Sequence, residues 1–143
     1  MATIRVGVCM MAPALLIVLA TGCGGGSEPL AAVHGTVLYR GFPLPGAKVV
    51  FTPDANRGGS GPMAQAETRS DGTYVLETDG APGATPGCYR ITVMALEAPA
   101  TGPDGQPTIP RSLVPEKYRD PELSGLSCEV EAGRDNKVDI NLE

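Results

Sequence analysis

Residues 87–96 read GCYRITVMAL, and this stretch decides the fold class. Apolar side chains occupy every second position from Tyr89 to Ala95, while Arg90 and Thr92 lie between them. Strict alternation of this kind is typical of a β-strand with one face buried in a core. The stretch therefore predicts a strand whose odd-numbered positions face inward.

Six further runs show the same alternation and are separated by clusters of Gly, Pro, Asp and Asn. They cover residues 33–39, 47–52, 63–68, 73–78, 126–131 and 136–142. The last two runs are joined by a short Gly-containing turn, so we expect them to form a hairpin that closes the fold. Short strands at this spacing are typical of a sandwich or barrel, and the sequence predicts an all-β domain of seven strands.

The composition limits both the architecture and the partners. A chain of 143 residues with 19 Gly and 14 Pro allows one small domain and excludes a helical bundle or coiled coil. The formal net charge is -5, and the basic residues do not cluster. Because binding to nucleic acid needs clustered Lys and Arg to neutralise phosphates, the sequence predicts no nucleic-acid partner.

Two connections between the runs carry recognisable turn chemistry. Gly72 in the Ser-Asp-Gly sequence of residues 70–72 supplies a residue that accepts positive φ, as a tight turn requires. Residues 40–46 contain Pro43 and Pro45, which cannot donate to a sheet ladder. This second connection is therefore predicted to be a loop or an edge with an apolar anchor.

The N-terminus has the layout of a secretion signal. Arg5 precedes an uncharged stretch of fifteen residues, 6–20, and small residues follow before Cys23. The stretch is shorter than the roughly 20 residues that a transmembrane helix needs. Residues 19–23, LATGC, resemble the lipobox of bacterial lipoproteins, with ordinary secretion as the alternative. We therefore predict a signal peptide over residues 1–22.

The lipobox resemblance implies that Cys23 is acylated and becomes the first residue after cleavage. Several acyl chains anchor a protein stably, because each buried methylene contributes about 0.8 kcal/mol. Gly24 stands where inner-membrane retention signals have Asp, so the resemblance implies an outer-membrane location in the cell envelope. Residues 23–31 are Gly-rich at their start and are expected to act as a flexible tether.

The sandwich predicted for residues 32–143 also resembles a known family. The resemblance to carboxypeptidase regulatory-like domains is carried by VHGTV at 33–37, GFPLPGAKVVFTP at 41–53, TRSDGTYVL at 68–76 and PGCYRITV at 86–93. It implies a transthyretin-like, seven-stranded Greek-key sandwich. Arg69 departs from the family pattern, which often has Asp there, but leaves the turn at Gly72 and the inward Tyr74 intact. These motifs describe a fold and imply no catalytic residue.

Residue types that carry enzyme chemistry are sparse. His34 is the only histidine and shares its strand phase with Thr36, so we expect a surface position. Related sandwiches that act as oxygenases or hydrolases use several histidines, and a metal centre needs converging ligands. No Gly-x-Ser-x-Gly element follows a strand. The sequence therefore predicts no enzyme, metal site or cofactor, and a small hydrolase or oxygenase remains the weakest alternative.

Two of the four cysteines remain in the domain after processing at Cys23, namely Cys88 and Cys128. An oxidising compartment favours a disulfide between them. Their phases argue against it, since Cys128 alternates with inward residues whereas Cys88 alternates with Arg90. A Cys88–Cys128 disulfide and two free thiols both stay open.

Residues 97–125 form a long Pro-rich connection without clear periodicity. We expect it to lie over a sheet, held by Leu113, Val114 and Tyr118, and the alternative is a ligand- or peptide-binding edge. The sequence thus predicts a non-enzymatic structural or interaction module. Its expected partners are membrane lipid, through acylated Cys23, and an envelope protein or peptide.

Overall fold

The computed structural model describes residues 29–143, so the predicted signal peptide 1–22, Cys23 and residues 24–28 lie outside the described residues. The described part contains eleven short strands, two 3-10 turns and no α-helix, which confirms the all-β class. None of its helical segments is long and apolar enough to cross a bilayer. The strands are β1 (Val33–Tyr39), β2 (Phe42–Pro43), β3 (Lys48–Pro53), β4 (Ala64–Glu67), β5 (Thr73–Val75), β6 (Glu77–Thr78), β7 (Ala81–Pro82), β8 (Gly87–Met94), β9 (Ser127–Val130), β10 (Asn136–Lys137) and β11 (Ile140–Leu142). The 3-10 turns are Ala55–Arg57 and Glu116–Arg119.

The strands assemble into two sheets with a common core. The first sheet is centred on β1, which pairs antiparallel with β2 and β5 and parallel with β10 and β11. The second sheet has the order β7-β6-β4-β3-β8-β9, and its neighbours are all antiparallel. The domain is therefore sandwich-like, with five strands in one sheet and six in the other.

The pairing of β3 with β8 forms the centre of the second sheet. Val49 lies opposite Val93 and Phe51 lies opposite Ile91, and all four side chains are at most 2% exposed. Because successive residues of a strand point to opposite faces, the alternating apolar set of each run is buried together. The inward residues predicted for these two runs are confirmed.

Three aromatic rings connect the two sheets inside an otherwise aliphatic core. The Phe51 ring centroid lies 6.4 Å from that of Tyr74 in the first sheet and 5.9 Å from that of Tyr89 in the second. Both ring pairs are tilted, an arrangement that contributes about 0.5–1.5 kcal/mol per pair beyond the burial of area. Phe51 thus packs against both layers.

Gly35 allows β1 to approach the C-terminal strands closely. A Cβ atom at this position would overlap the backbone carbonyl oxygen of Val138, so only a hydrogen atom fits. The same carbonyl accepts a hydrogen bond of 2.6 Å from the Tyr74 hydroxyl. Burial raises the pKa of Tyr74 far above its ordinary value, which keeps this donor protonated.

The turn at residues 70–72 forms as the sequence predicts. Gly72 has φ of 78°, and the Asp71 carboxylate accepts hydrogen bonds from the Thr73 backbone N–H at 3.0 Å and hydroxyl at 2.7 Å. These local bonds satisfy the backbone where β5 begins.

The single strand expected over residues 73–78 is divided between the sheets. Its first part, β5, pairs with β1, whereas its second part, β6, pairs with β4. Leu76 lies between them, fully buried, and its N–H donates to the Val33 carbonyl at 2.9 Å. The chain therefore crosses from one sheet to the other at Leu76 without interrupting the apolar alternation.

The expected C-terminal hairpin is wrong. β9 pairs antiparallel with β8 in the second sheet, whereas β10 and β11 pair parallel with β1 in the first. The turn between them instead carries the chain across the core, and the Asn136 side chain accepts a 2.9 Å hydrogen bond from the Glu131 N–H. Both runs still point their apolar residues inward because each contributes a face to the same core.

The connection at residues 40–46 contains β2 and the expected apolar anchor. The anchor is Leu44, which is 6% exposed, whereas Phe42 is 75% exposed. The Thr68 hydroxyl donates to the Leu44 carbonyl at 2.5 Å and accepts from the Ala47 N–H at 2.8 Å. This buried hydroxyl joins the start of β3 to the end of β4.

The chain enters the domain at Ala31. Its N–H donates to the Ala84 carbonyl and its carbonyl accepts from the Ala84 N–H, both at 2.9 Å. Ala31 is only 4% exposed, so the fold extends one residue into the segment that the sequence assigns to the tether.

Candidate functional site

The two cysteines of the domain lie on neighbouring strands. The register places Cys128 opposite Tyr89, and Cys88 opposite Glu129. Because successive residues alternate in direction, Cys128 faces the core and Cys88 faces away from it. Both are free thiols in this structure, and a bridge would require their Cβ atoms to turn toward each other. The disulfide stays a prediction.

Burial raises the pKa of the Cys128 thiol to about 11, and the neighbouring Cys88 adds to this effect. The thiolate is the nucleophilic form of cysteine, and at neutral pH a thiol with such a pKa is almost entirely protonated. Cys128 therefore contributes to packing rather than to nucleophilic chemistry.

His34 lies on β1 and is partly exposed, as the sequence predicts. Its Nδ1 atom is 3.0 Å from the Asp135 carboxylate, and the two side chains are 40% and 70% exposed. Within residues 29–143, no three His, Cys, Asp or Glu side chains converge in a way that could hold a metal ion. His34 thus forms a solvent-facing pair beside the turn that leads into β10.

The Pro-rich connection divides into two parts with different packing, which we call the hairpin (residues 96–113) and the seam (residues 114–125). The hairpin is closed by a bridge between Leu96 and Ser112 and by a 2.9 Å hydrogen bond from the Glu97 N–H to the Arg111 carbonyl. A second bridge, between Thr101 and Pro107, lies nearer its tip. The connection therefore has regular contacts that its sequence did not indicate.

The hairpin presents apolar side chains to solvent. Ile109 is 91% exposed, Leu96 is 47% exposed and Leu113 is 42% exposed. The sequence predicts Leu113 as an anchor of the connection, and this expectation is wrong. The Leu113 backbone, rather than its side chain, attaches the hairpin, since its N–H donates to the Ala95 carbonyl at 2.8 Å.

The seam closes the side of the sandwich where β9 no longer pairs with β8. Val114 and Tyr118 are 4% and 5% exposed, which confirms them as anchors. The Tyr118 hydroxyl accepts a 3.0 Å hydrogen bond from the Glu143 N–H, next to β11 in the first sheet. After the seam, the Leu126 carbonyl accepts from the Ile91 N–H of β8 at 2.9 Å. The seam thus joins the two sheets.

A charged cluster on the outer face of β8 fixes the end of the seam. Arg90 Nε lies 3.0 Å from Asp54 Oδ2, and Arg90 Nη1 lies 2.5 Å from Glu122 Oε1. Asp54 is 6% exposed and also accepts from the Asn56 N–H at 3.2 Å, which caps the first 3-10 turn. Arg90 therefore links three separate segments of the chain.

This cluster lines a cleft of about 330 Å³ together with Arg57, Ser127 and residues at the end of the seam. Hydrogen bonds to Glu122 and then Asp54 raise the pKa of Arg90, so its charge is permanent. Arg57 Nη1 lies 3.4 Å from the Ser127 hydroxyl oxygen. Both carboxylates of the cleft thus hold the Arg90 guanidinium, an arrangement that ties distant segments of the fold together.

From the sequence, Arg90 is predicted only to be an outward-facing strand residue, and neither of its partners is predicted. Asp54 precedes it by 36 positions and Glu122 follows it by 32, so no local spacing connects them. The available signal was a single long charged side chain in an otherwise uncharged strand. Such a residue needs a partner when it is partly buried, but the register decides which one.

No protein-family model matches this chain, and neither a curated protein nor a solved structure shows significant similarity to it.

The polar side chains buried in the domain are Asp54, Thr68, Thr78 and Ser124. Each is hydrogen-bonded within the domain: Thr78 donates to the Gly83 carbonyl at 2.8 Å, Ser124 accepts from the Leu126 N–H at 3.3 Å, and the Asp54 and Thr68 contacts are described above. These buried groups hold turns and strand ends in place.

Proposed function

We propose that this chain is a lipid-anchored protein of the bacterial cell envelope whose β-sandwich is a non-enzymatic structural or interaction module. The observation that carries the proposal is the direct sequence connection between the lipobox-like residues 19–23 and a compact domain that begins at Ala31. So short a connection, if acylated at Cys23, holds the domain beside a membrane. The glycine at position 24 favours the outer membrane.

The finer fold assignment belongs to the same proposal. The two sheets, the inward Tyr74 after the Gly72 turn and the central β3–β8 pairing support a transthyretin-like Greek-key sandwich of the carboxypeptidase regulatory-like type. That fold hosts many roles, so the role rests on the sites. The non-enzymatic role is supported by the engagement of the domain's buried polar groups in hydrogen bonds that hold turns and strand ends.

Metabolic labelling with a palmitate analogue tests the anchor. We expect label on the mature protein and in the membrane fraction, and we expect Cys23→Ser to abolish both. Cys88→Ser is the matched control, because its thiol lies in the domain and should leave labelling unchanged. Unlabelled mature protein released in free form would contradict the proposal.

A second candidate function is binding of a peptide or another ligand by the hairpin. It is favoured by the 91% exposure of the apolar Ile109 side chain. Mild cross-linking in the native envelope followed by purification of the acylated protein identifies a partner. Loss of that partner on Ile109→Ser, with the domain still folded, would support the hairpin as the binding edge.

A further inference from the structure

We infer that the end of the sandwich around Leu30, Pro62 and Met63 rests on the lipid surface, and that the hairpin faces away from it. This inference rests on the proposed acylation of Cys23. It adds to that proposal the face of the domain that contacts the membrane and the orientation that results.

The entry point of the chain locates the tethered end. Ala31 is fixed by its two hydrogen bonds to Ala84, so Leu30 is held beside the loop that follows β7. Cys23 precedes Leu30 by seven residues, which span about 25 Å at most when fully extended. The anchor therefore keeps this end of the domain within about 25 Å of the headgroups.

Two adjoining grooves open at the tethered end. One, of about 470 Å³, is lined by Leu30, Pro62 and Asp79 among others. The other, of about 420 Å³, shares Pro62 and Asp79 and adds Met63 and Val50. Met63 is 61% exposed, so a large apolar side chain lies in solvent beside these grooves. Burying apolar surface of this kind at a bilayer interface is favourable.

The single anionic side chain shared by the two grooves, Asp79, indicates the kind of lipid surface. Its residue is exposed at the turn between β6 and β7. A carboxylate is repelled by anionic headgroups, whereas the ammonium group of a zwitterionic headgroup can approach it. The surface therefore suits a membrane face rich in zwitterionic lipid.

The tether lowers the entropic cost of bringing this end of the domain to the membrane. A short linker converts docking into an intramolecular step with an effective concentration in the mM range, so a weak surface affinity is enough. β8 begins near Thr85 at the groove and leads at its other end into the hairpin. Its eight residues span about 26 Å at about 3.3 Å each, so the groove and the hairpin lie at opposite ends of this strand.

Tryptophan fluorescence tests the inference, because the chain has no Trp and a single introduced one has no background. Acylated mature protein carrying Met63→Trp or Ile109→Trp is reconstituted into phosphatidylcholine vesicles with brominated acyl chains. Both positions are exposed, so the variants are matched and circular dichroism checks their folds. We expect a blue shift and loss of emission for Met63→Trp, and neither change for Ile109→Trp.

Mass spectrometry of the mature protein distinguishes a failure of the proposed orientation from a failure of the proposed acylation. If Cys23 carries acyl chains but the two variants are quenched equally, or only Ile109→Trp is quenched, the inference is overturned and the anchor stands. If Met63→Trp remains unquenched in acylated protein, the inference is likewise overturned. If the mature protein carries no acyl mass, the proposed function is overturned and the orientation with it.

Discussion

The hairpin and the seam are consecutive parts of one Pro-rich connection, yet only the seam belongs to the core. The seam contributes Val114 and Tyr118, which are nearly fully buried, whereas the hairpin exposes Leu96 and Ile109. Proline content does not distinguish the two parts. The connection therefore joins the core where it reaches from one sheet to the other, and stays exposed where it only pairs with itself.

Truncation of Tyr118 should give the largest effect. Tyr118→Ala removes a buried ring, and removal of a buried aromatic costs about 3–5 kcal/mol of unfolding free energy. The measurement is urea unfolding followed by circular dichroism. Ile109→Ala is the control from the hairpin and should stay within about 0.5 kcal/mol of the parent protein, since its side chain is exposed. Equal effects of the two substitutions would remove the distinction between hairpin and seam.

The ion pairs of Arg90 hold the end of the seam, so their loss should also lower stability. Arg90→Met should lower the melting temperature more than Glu122→Gln, because Asp54 is buried and loses its counter-charge whereas Glu122 is 74% exposed. Adding Asp54→Asn to Arg90→Met should restore part of the loss by removing the uncompensated charge. An effect of Glu122→Gln as large as that of Arg90→Met would show that the exposed carboxylate, rather than Asp54, is the important partner.

Alkaline pH tests the packing of β9, which directly follows the seam. The pKa of Cys128 is raised from 9.0 to about 11 in the folded protein, so the folded state holds this proton more tightly than the unfolded state. The stabilisation is fully present below pH 9 and should be lost as pH rises through about 11. Titration of unfolding free energy should show a shallower alkaline decline for Cys128→Ala. An identical decline would indicate that water already reaches this thiol.

Replacement of the hairpin tip should give the smallest effect on stability. Substituting residues 98–110 with a short Gly-Ser turn keeps the closing contact between Glu97 and Arg111. Because loop-closure entropy changes by only about 0.6 kcal/mol for each twofold change in length, the unfolding free energy should change by about 1 kcal/mol or less. Calorimetry measures this change. A much larger loss would place the hairpin, like the seam, among the structural elements.

The sequence predicted the inward-facing residues more completely than it predicted the loops and pairings that connect the strands. Tyr74, Phe51 and Ile91 follow a period of two, and that local rule survives whichever strand lies alongside. Leu113 is predicted wrongly as an anchor because an apolar residue in an irregular segment need not point inward; here the backbone rather than the side chain makes the contact. The pairing of β9 with β8 could not be read from a turn that suits a hairpin equally well.

The candidate site was likewise predicted only where a property depends on nearby residues. Exposure of His34 followed from its strand phase, and Val114 and Tyr118 followed from being bulky apolar residues in a polar connection. The partners of Arg90 did not follow, since they come from segments more than 30 positions away on either side. The groove beside Met63 is lined by residues of β3 and β4, of the loop before β4 and of the turn after β6, and no single stretch of sequence brings these together.

The all-β class, the alternating inward faces and the glycine turn at residue 72 follow from the sequence, because each depends on neighbours within a few positions. The folded domain alone shows which strands pair, where the chain crosses between sheets and how Tyr118 closes the open side. These features depend on contacts between distant segments. Such contacts are selected by how completely the whole core can be filled, a property that no local pattern carries.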